Sequence, residues 1–67
     1  MKVYVGCYYR HRKSGLLYYP MAKVRHSETG EILCLWVIDP SKMPLAVPED
    51  KWFDHFEEGT VDVDEEK

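Results

Sequence analysis

The chain has 67 residues and a net charge of −3, with 45% hydrophobic and 13% aromatic side chains. That length allows one domain with a thin core, because a chain this small buries only about 60% of the surface it exposes when unfolded. The apolar and aromatic content is too high for a disordered chain, and no stretch approaches the roughly 18 apolar residues of a membrane span.

The charge is unevenly placed. Six Lys or Arg and no acid precede Glu28; twelve acids and three lysines follow from there. Segregation of this kind predicts a basic face and an acidic face, which either meet different partners, complement each other between copies, or neutralise one another within one fold. No secretory leader pattern opens the chain, and the expected location is the cytoplasm, or the host cytoplasm if a phage encodes it. Cys7 and Cys34 each lie inside a strand-like run, so both are read as buried reduced thiols rather than a disulfide framework.

Along the chain, "KVYVGCYY" alternates, with Val3, Val5 and Cys7 on one side, and predicts a first strand. After the loop "RHRKSG", the run "LLYYPMAKVRHS" reads as a second strand. Pro20 has no N–H for a ladder and places that strand at an edge or a bulge. "SETGE" is a hairpin turn, and the return strand "EILCLWVID" is apolar on both faces. A strand that needs covering twice predicts a partner, most simply a second copy of the chain; the alternative is a closed barrel on one side and a helix on the other. The interface residues expected on this basis are Leu33, Leu35, Trp36 and Val37.

The proline-rich "PSKMPLAVP" leaves room for a short edge strand at Leu45 to Val47. Pro48 then opens a helix with Glu49 and Asp50 in its first turn and Gly59 at its end. Trp52, Phe53 and Phe56 form its aromatic stripe, read as a lid on the core rather than a ligand platform. No internal repeat is evident. The expected fold is mostly β (α+β): a small SH3-like bent antiparallel sheet or partly open barrel with one short C-terminal helix. Residues 1–58 form that domain and 59–67 an acidic tail, whose "TVDVD" alternates well enough to add a strand elsewhere.

The segments "YRHRKSGLLY", "VRHSETGE" and "VPEDKWF" resemble a bacterial and phage family known as domain of unknown function 1653. Its pattern runs Tyr-Arg-His-Tyr-Lys-Gly, a Leu-Tyr pair, Ala-Arg-His-Ser-Glu-Thr, a hydrophobic strand and Arg-Pro-x-x-x-Phe. Tyr9, Arg10, His11 and Lys13 match the first block, Leu17 and Tyr18 the pair, and Arg25, His26, Ser27, Glu28 and Thr29 the second. Pro48 and Trp52 match the close, with Trp for Phe. Arg12 stands where the family has an aromatic, Ser14 is inserted or substituted before Gly15, and Val47 replaces the arginine before Pro48. The resemblance covers most of residues 8 to 53; it implies a compact mostly-β fold and an Arg-His cluster, and no reaction.

The expected function is non-catalytic binding. Forked cationic donors suit phosphate and flat rings suit a base. An anionic, nucleotide-like small molecule is therefore expected at Tyr9, Arg10, His11, Arg12, Lys13, Tyr18, Arg25 and His26, where binding without turnover sequesters or senses it. Two alternatives stand beside this. One is a protein–protein interaction module, a phage or bacterial regulator or inhibitor, using strand 32–38 or the acidic tail. The other is single-stranded nucleic-acid binding along a groove, which the acidic second half disfavours.

Paired as one hairpin, the first two strands place His11 and His26 at opposite ends, so a single-chain site containing both is not implied; symmetry permits, but does not require, a dimer that brings His11 of one copy near Arg25 and His26 of the other. The expected state is a homodimer or higher oligomer. Cys7, Cys34, His11, His26 and His55 lack the spacing of a metal site or a nucleophile–base pair, so no cofactor, metal or catalytic residue is expected.

Overall fold

The computed structural model describes residues 2–62. Its strands are β1 (Tyr9–Arg10), β2 (Leu17–Tyr18), β3 (Ala22–Arg25), β4 (Ile32–Trp36) and β5 (Leu45–Pro48). A 3-10 turn (Glu49–Lys51) leads into a single helical turn, α1 (Trp52–His55). β1 and β2 form one antiparallel pair, and β3–β4–β5 form a second antiparallel sheet with β4 in the middle. The protein is thus mostly β with one short C-terminal helix, and the two sheets do not close into a barrel.

Two of the expected strands come out differently. "KVYVGCYY" is broken by a turn at Val5–Gly6, where the Cys7 N–H donates to the Tyr4 carbonyl and the Gly6 N–H to the Pro20 carbonyl. Regular pairing starts only at Tyr8, which bridges Val61. The long second strand is two strands. Leu17–Tyr18 pairs with β1 and Ala22–Arg25 with β4, so the first strand never meets the second half of the second. The fully buried Pro20 sits at the break, where the missing N–H costs no ladder bond because the chain is changing sheets.

The hairpin at Ser27–Thr29 and the edge strand near Leu45 are found where the pattern places them. Pro48, however, closes β5 instead of opening the helix. The helix also stops short of Gly59: Phe56 takes extended backbone angles and bridges His11, and its ring is fully buried.

The core consists of Val3, Tyr9, Cys34, Trp36, Val47, Trp52 and Phe56. Trp52 stacks on Phe56 with centroids 4.1 Å apart and planes 9° from parallel; Trp36 meets Phe56 edge-on at 5.0 Å, and Tyr9 meets Trp52 edge-on at 5.6 Å. Rings therefore fill the gap between the two sheets; of the stripe, Trp52 and Phe56 belong to the core and Phe53 packs half-buried against it. The Trp52 indole N–H is buried without a hydrogen-bond partner, a cost of about 1–3 kcal/mol that its ring packing has to offset. Cys34 is buried and Cys7 half-buried, and both are free thiols.

One carboxylate ties three segments together. Glu49 Oε2 accepts from Lys23 Nζ at 2.7 Å and from the Val3 N–H at 3.0 Å, linking the N-terminal segment, β3 and the 3-10 turn. The hydrogen bond from Lys23, then that from Val3, holds the Glu49 carboxyl below the usual carboxylate range. A lowered folded value means that this stabilisation is whole above the unfolded glutamate pKa of about 4.3 and is lost as pH falls through the folded value. Glu49→Gln is therefore expected to be less stable than the wild type near neutral pH, with the gap narrowing as urea midpoints are measured toward pH 3. A gap that stays constant over that range would show that Glu49 does not act through its charge.

Candidate functional site

The two Arg-His blocks are the same loop built twice. "RHRKSG" and "RHSETG" share Arg-His-x-x-Ser/Thr-Gly, and each is enclosed by one strand register, Arg10 opposite Leu17 and Arg25 opposite Ile32. The recurrence was hidden by its shortness and by the unlike residues at its third and fourth positions.

The hydrogen bonds match pair by pair. The His11 N–H donates to the Leu16 carbonyl and the His26 N–H to the Glu31 carbonyl, both at 2.8 Å. The Gly15 N–H reaches back to the His11 carbonyl at 2.8 Å and the Gly30 N–H to the His26 carbonyl at 3.0 Å. Both glycines have left-handed φ, 75° and 77°, where a Cβ is strained. Arg10 donates from its guanidinium to the Gly15 carbonyl at 2.8 Å, and Arg25 to the Gly30 carbonyl at 2.9 Å.

Inside each loop the imidazole acts as an acceptor. His11 Nδ1 receives the Ser14 N–H at 3.3 Å, and His26 Nδ1 receives the Thr29 N–H at 3.3 Å and the Glu28 N–H at 3.1 Å. Ser14 Oγ and Thr29 Oγ1 then each accept the N–H two residues on, at 3.2 Å. An Nδ1 that receives an N–H has its lone pair free, so the network assigns the ring proton to Nε2. Every polar side chain of the motif thus has a backbone partner, as a six-residue loop requires when its own backbone groups are not all paired.

The loops lie at opposite ends of β4. The His11 ring packs on Trp36 at 5.6 Å and on Phe56 at 5.1 Å, at the C-terminal end of β4, whereas Arg25 pairs with Ile32 at its start. The five residues from Ile32 to Trp36 span roughly 13 Å of extended strand. One chain therefore does not bring Arg10 and His11 together with Arg25 and His26.

The remaining expected ligand residues divide similarly. Arg12 caps the helix: its backbone N–H donates to the His55 carbonyl at 2.9 Å and its Nε to the Phe53 carbonyl at 3.0 Å. Such bonds satisfy carbonyls left open at a helix C-terminus. Lys13 is exposed. Tyr9 is 1% exposed, and its hydroxyl accepts the Tyr4 N–H at 3.0 Å. Tyr18 is half-buried against Trp36 at 5.0 Å.

Of the expected interface residues, Trp36 is 7% exposed and faces the core. Leu33 and Leu35 face the other way, half-buried, and Val37 follows just beyond β4, also half-buried. Residues directly opposite in antiparallel strands share a face. The register therefore puts Ala22, Leu35 and Ala46 in one row and Val24, Leu33 and Pro48 in the next. All six are apolar, and Val24 and Ala46 are exposed.

Cys34 is no candidate nucleophile, because burial, and then the Glu49 charge, push its thiol pKa up. The described residues contain no group of three metal-ligating side chains and no helix long and apolar enough to cross a membrane. The tail residues 63–67 lie outside the described part; Val61, just before them, donates its N–H to the Tyr8 carbonyl at 2.8 Å. No family model, curated protein or solved structure matches this chain.

Bracing by the loop residues is testable by denaturation. His26→Ala should cost about 1 kcal/mol, the typical net value of a lost hydrogen bond. His26→Asn, whose amide oxygen can occupy the Nδ1 position, should recover most of it. Equal stability of the wild type and His26→Ala would mean that the imidazole does not hold the loop.

Proposed function

We propose that the chain is a non-catalytic interaction module that pairs with a second copy of itself through the outer face of the β3–β4–β5 sheet. The observation that supports this is the register: it collects six apolar side chains on the side of β4 away from the aromatic core. The same face on two copies is self-complementary about a two-fold axis. Two such axes are available to stacked sheets. An axis along the strands sets like ends together, whereas an axis across them reverses the ends. Only the second brings exposed Glu28 and Glu31, at the β3–β4 loop, over the opposite end of the other copy, where Lys42 is exposed. Charge favours that arrangement.

The anion-binding reading retains one end of the molecule. Arg10, Arg12 and Lys13 share a loop, but two of the three already donate to carbonyls, and Arg25 with His26 belongs to the other end. A backbone-tracking nucleic-acid groove is disfavoured for the same reason, since it draws on a continuous basic track. The proposed kinship with domain of unknown function 1653, and with SH3-like folds, fits this reading without adding an activity. Regulation of a host or bacterial partner is a further part of the proposal, with the pair as the working unit.

The experiment is light scattering on the purified chain with Val24→Lys and Ala46→Lys alongside. Both positions are exposed, so the substitutions spare the core. The wild type should show the mass of a dimer and the double variant that of a monomer, while Lys13→Ala stays dimeric. A monomeric wild type, or a double variant that still dimerises with unchanged circular dichroism, overturns the proposal.

A further inference from the structure

On the helix side of the molecule, remote from the outer sheet face, a hollow of about 340 Å³ is lined by Lys2, Tyr4, Tyr9, Phe53, Gly59 and Thr60. None of the Arg-His loop residues lines it. The Tyr4 and Phe53 rings, the edge of Tyr9, the Lys2 ammonium and the Thr60 hydroxyl therefore border an open depression at the lower end of the roughly 300–1,000 Å³ range of small-molecule sites. That size admits one or two fused rings.

Its walls differ in what they are free to do. Tyr9 and Phe53 are fixed, meeting edge-on at 5.8 Å with Tyr9 packed on Trp52. Tyr4 is 54% exposed, and Lys2 Nζ stands 5.9 Å from its centroid, at the outer limit of a cation–π contact. Lys2 makes no ion pair among the described residues. The nearest acid by its electrostatic effect is Glu49, whose Oε2 is already shared by Lys23 and the Val3 N–H. The Tyr9 hydroxyl accepts the Tyr4 N–H, which leaves its own proton available to a further acceptor.

We propose that this hollow binds a small flat aromatic molecule carrying one anionic group, with its ring against Tyr4 and Phe53 and its anion on Lys2 and the Thr60 hydroxyl. The ring gains burial against apolar walls, and the anion meets an ammonium that makes no ion pair among the described residues. A ring without the charge forfeits Lys2, and a charge without the ring forfeits the walls. The site should therefore prefer the combined molecule to either half.

The test uses 1-naphthoate as the probe, with neutral 1-naphthamide and inorganic phosphate as the separated halves, followed by amide shifts of the full chain in NMR titration. Naphthoate should move Tyr4, Gly59 and Thr60, and both halves should bind at least tenfold more weakly. Lys2→Gln should weaken naphthoate about tenfold, with the shifts of the untitrated protein unchanged elsewhere, and Thr60→Val by a smaller factor. Shifts confined to the 22–24, 33–35 and 46–48 rows would assign the probe to the apolar sheet face and overturn the site. So would no shift at all, equal affinity for naphthoate and naphthamide, or unchanged affinity in Lys2→Gln.

Discussion

The stack of Trp52 on Phe56 is the contact around which this chain is arranged. A domain of this size has few residues to spend on a core, and four of its seven core members are aromatic. Large rings compensate for small numbers, because each buries about 150–250 Å². The helix ends after one turn at Phe56, whose extended backbone bridges His11 while its ring stacks on Trp52. The Arg12 N–H and Nε satisfy carbonyls of that short helix. Loop one, α1 and the β1–β2 pair are thus joined through one aromatic centre.

Local pattern carried part of this architecture plainly. Alternation and turn chemistry locate the β3–β4 hairpin, and the prolines set β5 at an edge, because these depend on residues near one another in sequence. The division of the second strand was less legible. A period of two says which residues share a side, but not which strand will be the neighbour, and the chain exchanges neighbours at Pro20. The first strand failed for a related reason: the alternation of Val3, Val5 and Cys7 continues through Gly6, yet the chain turns there and leaves Val5 50% exposed.

The placement of the basic residues was not legible for a different physical reason. Arg, His and Lys beside tyrosines have the chemistry of anion recognition, and the sequence shows the donors while hiding the acceptors. The acceptors here are the chain's own carbonyls. Arg10 and Arg25 each donate to a glycine carbonyl across a loop, and each imidazole fills the interior of that loop as an acceptor. The one signal that could have exposed this was the repeated Arg-His-x-x-Ser/Thr-Gly, since two copies fifteen residues apart, each between strand-forming runs, point to a turn requirement more readily than to two halves of one site. The charge asymmetry is resolved in the same way. Lys23 and Glu49 form the ion pair found among the described residues, while three of the six N-terminal cations, Arg10, Arg12 and Arg25, donate to neutral carbonyl oxygens rather than to the acidic half.

β4 separates the two proposed surfaces on so small a body. Trp36 points into the aromatic centre, which continues through Trp52 to Tyr9 and Phe53 and hence to the wall of the hollow. Leu33 and Leu35 point the opposite way, into the open rows of the sheet. The hollow and the sheet face are therefore separated by the thickness of the core and share no residue. A copy seated on the sheet leaves the hollow open, and a molecule in the hollow reaches the sheet only through rings already locked together. Coupling between the two would have to pass along Phe53, Tyr9, Trp52 and Trp36. The edge-on packing of those rings makes that path stiff, so the simplest expectation from the structure is two surfaces that fill independently.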